Sequence, residues 1–483
     1  MTMDLDRRRF LAAGLAAAGT AIITPDLALA GAAPPSWLPG VADVEADIPE
    51  QAMRLVHGRA PAGFTGRLYR NGPAKFRRGT SAAGHWFDGD GLIRKFEVRD
   101  GAARLTARFA DTPKRRLEAE LGAMVQPGFG TAAGRGARIA NPDDVNAANT
   151  SVMLLGGELL ALWEGGSPLR MDPDSLATRD FKTFRDDLRY MPFQAHPRTE
   201  PGGAIWNVGA YGAQNIAWKL HADGRLAGIE VFEIPRRSYF HDFTATTRHL
   251  IIVLQPWVNE RFALPLATTL TWRPELGTQV LVIEKEDFSR RRIFELPAFS
   301  FFHLGDGWEE SDGTIRFDGA FEADPSFGQS AAAALLRGEA VATPRPILTQ
   351  VVLRPDGRAG LLPSGTEAEF PAGDKRRSGL ARTGTIHVSH YRGPFPHGVA
   401  RWDWATGRDD AFDFGDHQLV EEFLFAPRGA GERDGWLIGT TLNLARRATE
   451  LHLLDAARIA AGPVASWRAT VPLPISFHGV MAA

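Results

Sequence analysis

Short apolar or alternating stretches, each closed by Gly, Pro, Asp or Asn, recur along most of this chain: GRLYRNGPAKF, LIRKFEVRDGAARLTARFADT, SVMLLGGELLALWEGG, AIWNVGAYG, HLIIVLQPW, TQVLVIEKEDFS and GWLIGTTLNLARRATELHLLDA. Segments of that length with period-two or continuous apolar character are strands, and no long segment of helical period competes with them. The 51 glycines and 32 prolines fit the many turns that such strands need. The chain is therefore expected to be all-β. Only PKRRLEAELGAMV and QSAAAALLRGEA carry helix formers at helical spacing, and both are placed as insertions outside the β core. No exact repeat of fixed period and no internal boundary is visible, so residues 31–483 are read as one domain.

With 55 basic and 57 acidic residues interspersed, the chain lacks the basic footprint of a nucleic-acid-binding protein. It contains no cysteine, which excludes disulfides, iron–sulfur clusters and thiolate-bound zinc. Any metal must sit on His, Asp or Glu. Residues 1–30 combine Arg7–Arg9, an apolar run from Phe10 to Ile23 and a small-residue cleavage site at Ala28-Leu29-Ala30. That order is expected of an export signal, here resembling the twin-arginine type that carries folded proteins to the periplasm.

Thirteen histidines are available. His57, His221, His249, His417 and His452 stand beside charges or turn residues and are read as solvated. His196, His241, His303 and His478 each start or end an apolar, turn-bounded run. Each one alone can be a hydrogen-bonded structural histidine or a ligand. Their wide spacing rules out a ligand pair on one helix. It is compatible with radially arranged sheets whose inner strands converge on one axis. In HWFDGDG, His85 is read as structural and Asp88–Gly91 as a tight turn. His387, His390 and His397 are a possible second metal cluster.

These contexts together resemble the carotenoid cleavage oxygenase family over essentially the whole chain after residue 30. GRLYRNGPAKF and HWFDGDGLIRKFE are similar to its N-terminal signature, and ANTSVMLLGGELLALWEGGSP to its central one. HPRTEP, FHDFTAT, FHLGDGWEE and FHG are similar to its four histidine motifs. The chain departs from the family at Arg198 and Glu200, where Lys and Asp are usual, and at Asp306-Gly307, where Asn-Ala is usual.

The resemblance implies a seven-bladed β-propeller with short helical insertions capping the active-site face. One Fe(II) per chain would be held on its axis by His196, His241, His303 and His478, the last of these on the strand that closes the ring. Family glutamates that orient the ligating imidazoles map onto Glu164, Glu369 and Glu422, with Glu421 the alternative register for the third. Nothing in the family pattern asks for the second histidine cluster. The implied reaction is scission of a carbon–carbon double bond by dioxygen, with one oxygen entering each new carbonyl and no reducing cosubstrate.

In the lignostilbene-cleaving branch, a lysine that binds the substrate phenol precedes the first of these glutamates. Here Trp163 takes that place, which favours an apolar polyene or apocarotenoid. Trp163, Phe240, Phe302 and Phe477 are the expected tunnel lining. An apolar patch at the tunnel mouth, supplied by Leu335 and Leu336 or by Leu121, Met124 and Val125, would permit peripheral membrane contact. Two other readings are a dioxygenase of phenolic stilbenes and a non-catalytic polyene-binding propeller.

Overall fold

In the computed structural model, residues 34–211 and 214–482 are described. The expected export signal lies outside the described residues. Five separate four-stranded sheets follow one another along the chain, over residues 151–181, 198–233, 244–296, 300–367 and 369–413. Each is an antiparallel meander in which sequence neighbours pair. A nine-stranded sheet joins residues 418–468 to residues 48–109 and 478–482. The molecule is thus all-β and propeller-like, with few helices.

Within one sheet the sequence sets the radial direction. His249–Leu254 and Thr278–Glu284 are rich in Val, Ile and Leu and almost wholly buried, because both faces of the sheet pack against neighbouring sheets. The last strand, Asp287–Leu296, carries three consecutive arginines and is largely exposed, a charged edge that resists pairing with another chain. The first strand, Thr244–Ala245, is buried. First strands therefore lie inside and last strands outside. Core packing is between sheets: Val208, Ile251, Val282, Phe301, Phe317 and Val351 belong to one cluster drawn from three consecutive sheets.

The C-terminal strand His478–Ala482 pairs antiparallel with Gly66–Lys75, placing His478 opposite Asn71. Pro463–Arg468 pairs with Ile48–Gly58, so the end of the chain is laced to its beginning along two strand edges.

Of the two expected helices, the first is Pro113–Leu121. The Thr112 side chain caps its N-terminus, Gly122 ends it in the left-handed region, and Lys114 bridges Glu118 and Asp90 in the interior. The second is shorter than its composition suggests. A π-helical turn at Phe327–Ala331 runs into a single α turn, Ala332–Leu335. No helix among the described residues is long and apolar enough to cross a membrane.

Several local expectations are corrected. Leu335, Leu336, Met124 and Val125 are buried, the first three packed against Trp86, Phe395 and Phe477, and only Leu121 of that group is exposed. His452 is buried between Ser466 and Thr441, and His249 is paired with Glu309, so neither is simply solvated. The HWFDGDG segment is more than a turn. After a short 3-10 turn at Trp86–Asp88, the Asp88 carboxylate accepts from the amides of Phe129, Gly130 and Thr131, and Asp90 holds Lys114 at 2.9 Å. His85 is structural: its Nδ1 accepts from Phe87 and its Nε2 donates to the Gly328 carbonyl.

Candidate metal centre

Innermost strands and the loops entering them deliver the four histidines. His196 precedes the two-residue strand Arg198–Thr199, His241 precedes Thr244–Ala245, and His303 lies in Ser300–Glu309 where the strand register shifts around Leu304. His478 opens the C-terminal strand. One nitrogen from each falls within 4.8 Å of all the others. The Nε2 atoms of His196 and His241 are 2.9 Å apart, as are those of His303 and His478.

The remaining nitrogens identify the tautomers. His241 Nδ1 donates to Glu164, His303 Nδ1 to Glu369 at 2.5 Å, and His478 Nδ1 to Glu422 at 3.3 Å. His196 has no carboxylate partner among the described residues. With the protons of His303 and His478 on Nδ1, their Nε2 lone pairs face each other at 2.9 Å inside a buried site, an arrangement that repels itself unless a cation lies between them. Nitrogens ~2.1 Å from one ion at right angles stand about 3.0 Å apart, close to the spacing observed, so the donor set fits a metal ion. Burial, joined by the neighbouring imidazoles, pushes His196 well below the usual histidine range. Burial also takes His478 down to about 4 despite Glu422. At His303, burial acts the same way but is outweighed by the charge of Glu369 and its hydrogen bond, and the net direction is upward.

The ambiguity between neighbouring glutamates resolves geometrically. Glu422 reaches His478 and accepts the Gly479 amide at 2.9 Å, whereas Glu421 turns the other way, to Arg94 at 3.1 Å and the Ser476 amide at 2.6 Å. Arg70 locks the pair. Fully buried, it donates to the carbonyls of Glu422 and Phe477 and to Ser476.

Arg198 binds three histidine segments together. Its guanidinium makes two bonds to Asp242, at 2.7 and 2.8 Å, and also donates to the carbonyls of Phe243 and Leu304. The other departures from the family pattern are also engaged. Glu200 accepts from Trp206 and Lys285, and Asp306 from Ser378 at 2.9 Å.

Three neighbours of the site carry no sequence signal of their own. Tyr239 donates to Glu164 at 3.2 Å. Phe370 stacks on His303 with ring centroids 4.8 Å apart. Its φ of 54° is a left-handed conformation unusual for a bulky residue, and it brings the Phe370 amide 2.7 Å from Glu369. Glu322 lies on the cavity wall.

Above the histidines is a cavity of about 300 Å³. Trp163, Phe240, Phe302 and Phe477 all line it, with His241, His303 and His478 at its base. The Trp163 ring packs close over Gly165, 3.0 Å from where a Cβ would stand. His387, His390 and His397 do not converge; among the described residues the four-histidine group is the candidate metal set.

Residues 41–482 match the family model described as Retinal pigment epithelial membrane protein, the carotenoid cleavage oxygenases. The chain belongs to the carotenoid cleavage oxygenase family. Among its relatives is the apocarotenoid-15,15'-oxygenase of Synechocystis, 27% identical over 461 residues and covering 88% of this chain and 91% of that protein. Another is lignostilbene-alpha,beta-dioxygenase isozyme III of Sphingomonas paucimobilis, 27% identical over 472 residues and covering 88% and 92%. The cobalt-substituted Synechocystis apocarotenoid oxygenase shares the fold, with a TM-score of 0.81 at 23% identity over 92% of this chain and 98% of that one. This carotenoid cleavage oxygenase is accordingly an enzyme of the double-bond-cleaving oxygenase type.

Proposed function

We propose that this chain is an iron(II) dioxygenase that cleaves one carbon–carbon double bond of an apocarotenoid. The observation that carries the reading is the convergence of His196, His241, His303 and His478, the last three of which line the base of an apolar cavity. Imidazole suits ferrous iron, and a ligand set with no anion leaves the metal its full charge. Ferrous iron held there supplies the electronic coupling that lets dioxygen react with an alkene.

The protein's part is to hold and exclude. Glu164, Glu369 and Glu422 fix three imidazoles in the tautomer that presents Nε2 to the site. The aromatic wall keeps water from the reacting carbons and grips a flat polyene. The overall change breaks one C=C bond and forms two C=O bonds, each taking one oxygen atom from the same O2, so electrons balance without a reductant. Trp163 beside Glu164 offers an apolar face and no cation for a phenolate, which supports a polyene over a hydroxystilbene.

The nine-stranded sheet reads as two blades joined edge to edge by the Pro463–Arg468 and Ile48–Gly58 pairing, which with the five separate sheets makes a seven-bladed ring. Phe262, half exposed on the cavity rim, is a better membrane-facing residue than the buried leucines of the second insertion. Residues 1–30 would direct the folded, metal-loaded enzyme to the periplasm.

The test is anaerobic iron loading, then exposure to labelled dioxygen with an apocarotenal or a hydroxystilbene. Two carbonyl products carrying one labelled oxygen each, with the apocarotenal preferred, support the reading. Binding of both compounds without dioxygen uptake overturns it in favour of a polyene-binding protein.

A further inference from the structure

One acid of the apolar cavity has a buried carboxylate oxygen with no hydrogen-bond partner among the described residues. Five carboxylate residues line the cavity: Asp88, Glu164, Glu322, Glu369 and Glu421. Four of these are hydrogen-bonded, Asp88 to backbone amides, Glu164 and Glu369 to histidines, and Glu421 to Ser476. Glu322, the last residue of the strand Ile315–Glu322, is 5% exposed, and its Oε2 is buried with no hydrogen-bond partner among the described residues.

We propose that Glu322, together with Tyr391, forms a polar end of the cavity that recognises a neutral oxygen function, an alcohol or an aldehyde, on an otherwise apolar substrate. The inference rests on the substrate reading above and specifies which end-group that substrate carries.

A buried carboxylate without a partner is costly, and the group relieves that cost by keeping its proton. Its surroundings favour this. Burial, then the negative charges of Glu369 and Asp324, raises Glu322 well above the usual carboxyl range, and Arg345 only partly opposes them. Arg345 lines the same wall and spends one donor on the Gly393 carbonyl at 2.6 Å, with its guanidinium 5.0 Å from the centre of the Tyr391 ring. Tyr391 lines the same wall, and burial followed by Glu369 holds its hydroxyl well above the usual phenol range, hence protonated. A carboxylic acid and a phenol each offer a donor and an acceptor. An alcohol or aldehyde satisfies them, a hydrocarbon end leaves them unpaired, and a carboxylate end meets the charge of Glu369.

The test is quenching of tryptophan fluorescence in the iron-loaded protein, kept dark and anaerobic, with retinal, retinol, the hydrocarbon axerophthene and retinoic acid; Trp86 and Trp163 on the cavity wall are the reporters. Retinal and retinol are expected to bind roughly tenfold more tightly than axerophthene, the effect of one neutral hydrogen bond in a dry site. E322L should bring the three dissociation constants together by weakening the alcohol and aldehyde. Y391F should narrow the gap by several-fold, and E322Q, which keeps a donor and an acceptor, should largely preserve it. Equal affinities in the native protein, equal weakening of all ligands by E322L, or tightest binding of retinoic acid would each overturn the proposal. Binding is read without turnover, so a protein that discriminates but never cleaves would defeat the dioxygenase reading alone. One that cleaves without discriminating would defeat this inference alone.

Discussion

Glu369 shows how much one side chain does for the metal set. A single carboxylate oxygen accepts from His303 Nδ1 and from the Phe370 amide, so the imidazole is fixed in tautomer by one bond and in position by the backbone beneath it. E369Q keeps the shape and removes the charge. The amide is a weaker acceptor and can present its NH2 group instead, which permits the wrong tautomer of His303. Iron affinity is expected to fall ~10–100-fold, with the melting temperature of the metal-free protein little changed. Competitive chelator titration checks this, and an unchanged affinity would mean that His303 is not a ligand. H478A removes a donor outright and should abolish stoichiometric iron binding. At Trp163 the expected effect is on selectivity rather than on affinity for the metal: W163K places a cation beside Glu164 at the cavity wall. The ratio of hydroxystilbene to apocarotenal turnover is expected to rise at least ~10-fold, a shift of about 1.4 kcal/mol. A fixed ratio would mean that substrate class is decided elsewhere.

At the scale of elements, the metal set is a property of first strands. His196, His241 and His303 stand at or just before the first strands of three consecutive sheets, Glu369 opens the next sheet, and Glu422 lies in the first strand after that. The separation of 45 residues between His196 and His241, and of 66 between His303 and Glu369, is therefore about one sheet. Local patterning exposed the strands and the histidine contexts, because strand period and turn residues are written in neighbouring positions. It missed what neighbouring positions do not encode. Arg70 meets Phe477 across 407 residues, and Arg198 meets Leu304 across 106. His452 sits in TELHLL, whose charges suggested solvent, yet the strand Ala448–Asp455 is buried between two others. Arg198 also gives a prediction. Removing it leaves Asp242, 1% exposed, with an unpaired buried charge, and R198A is expected to lower unfolding free energy by about 3–5 kcal/mol. R198K restores the charge without the fork of donors and should recover only part of that loss. Urea denaturation of the metal-free variants measures both, and equal stability of R198A and native protein would show that the three loops are held by the sheets alone.

At the scale of the whole molecule, stability should carry a pH signature set by histidines outside the metal set. His85 ties the 3-10 turn at Trp86–Asp88 to the π-helical turn at Phe327–Ala331 through Phe87 and Gly328, and His452 is sealed inside the nine-stranded sheet between Ser466 at 2.8 Å and Thr441 at 2.9 Å. Burial pushes both down to about 4, with Asp88 opposing it at His85 and Glu450 opposing it at His452. Unfolded histidine titrates at about 6.5. Between those limits the unfolded chain binds protons that the folded protein refuses, so acid favours unfolding. The contribution of each neutral, buried imidazole is complete above about pH 6.5 and declines as pH falls toward about 4, at roughly 1.4 kcal/mol per unit per group. The carboxylates held lowest, Asp172, Glu309 and Asp413 at about 2, lose their contribution only as pH falls from the ordinary carboxylate range toward 2, and the raised Glu322 acts with the opposite sign above that range in native protein and variant alike. H452Q keeps a donor and an acceptor in place of the ring and cannot be protonated. Denaturation midpoints followed from neutral pH to about pH 5 should therefore fall less steeply in H452Q than in the native protein, by close to one proton's worth of slope. The other titratable groups are common to both proteins and cancel in the comparison. Parallel slopes would mean that His452 exchanges protons as freely in the folded sheet as in the unfolded chain, and that its burial there is relieved by water reaching the ring.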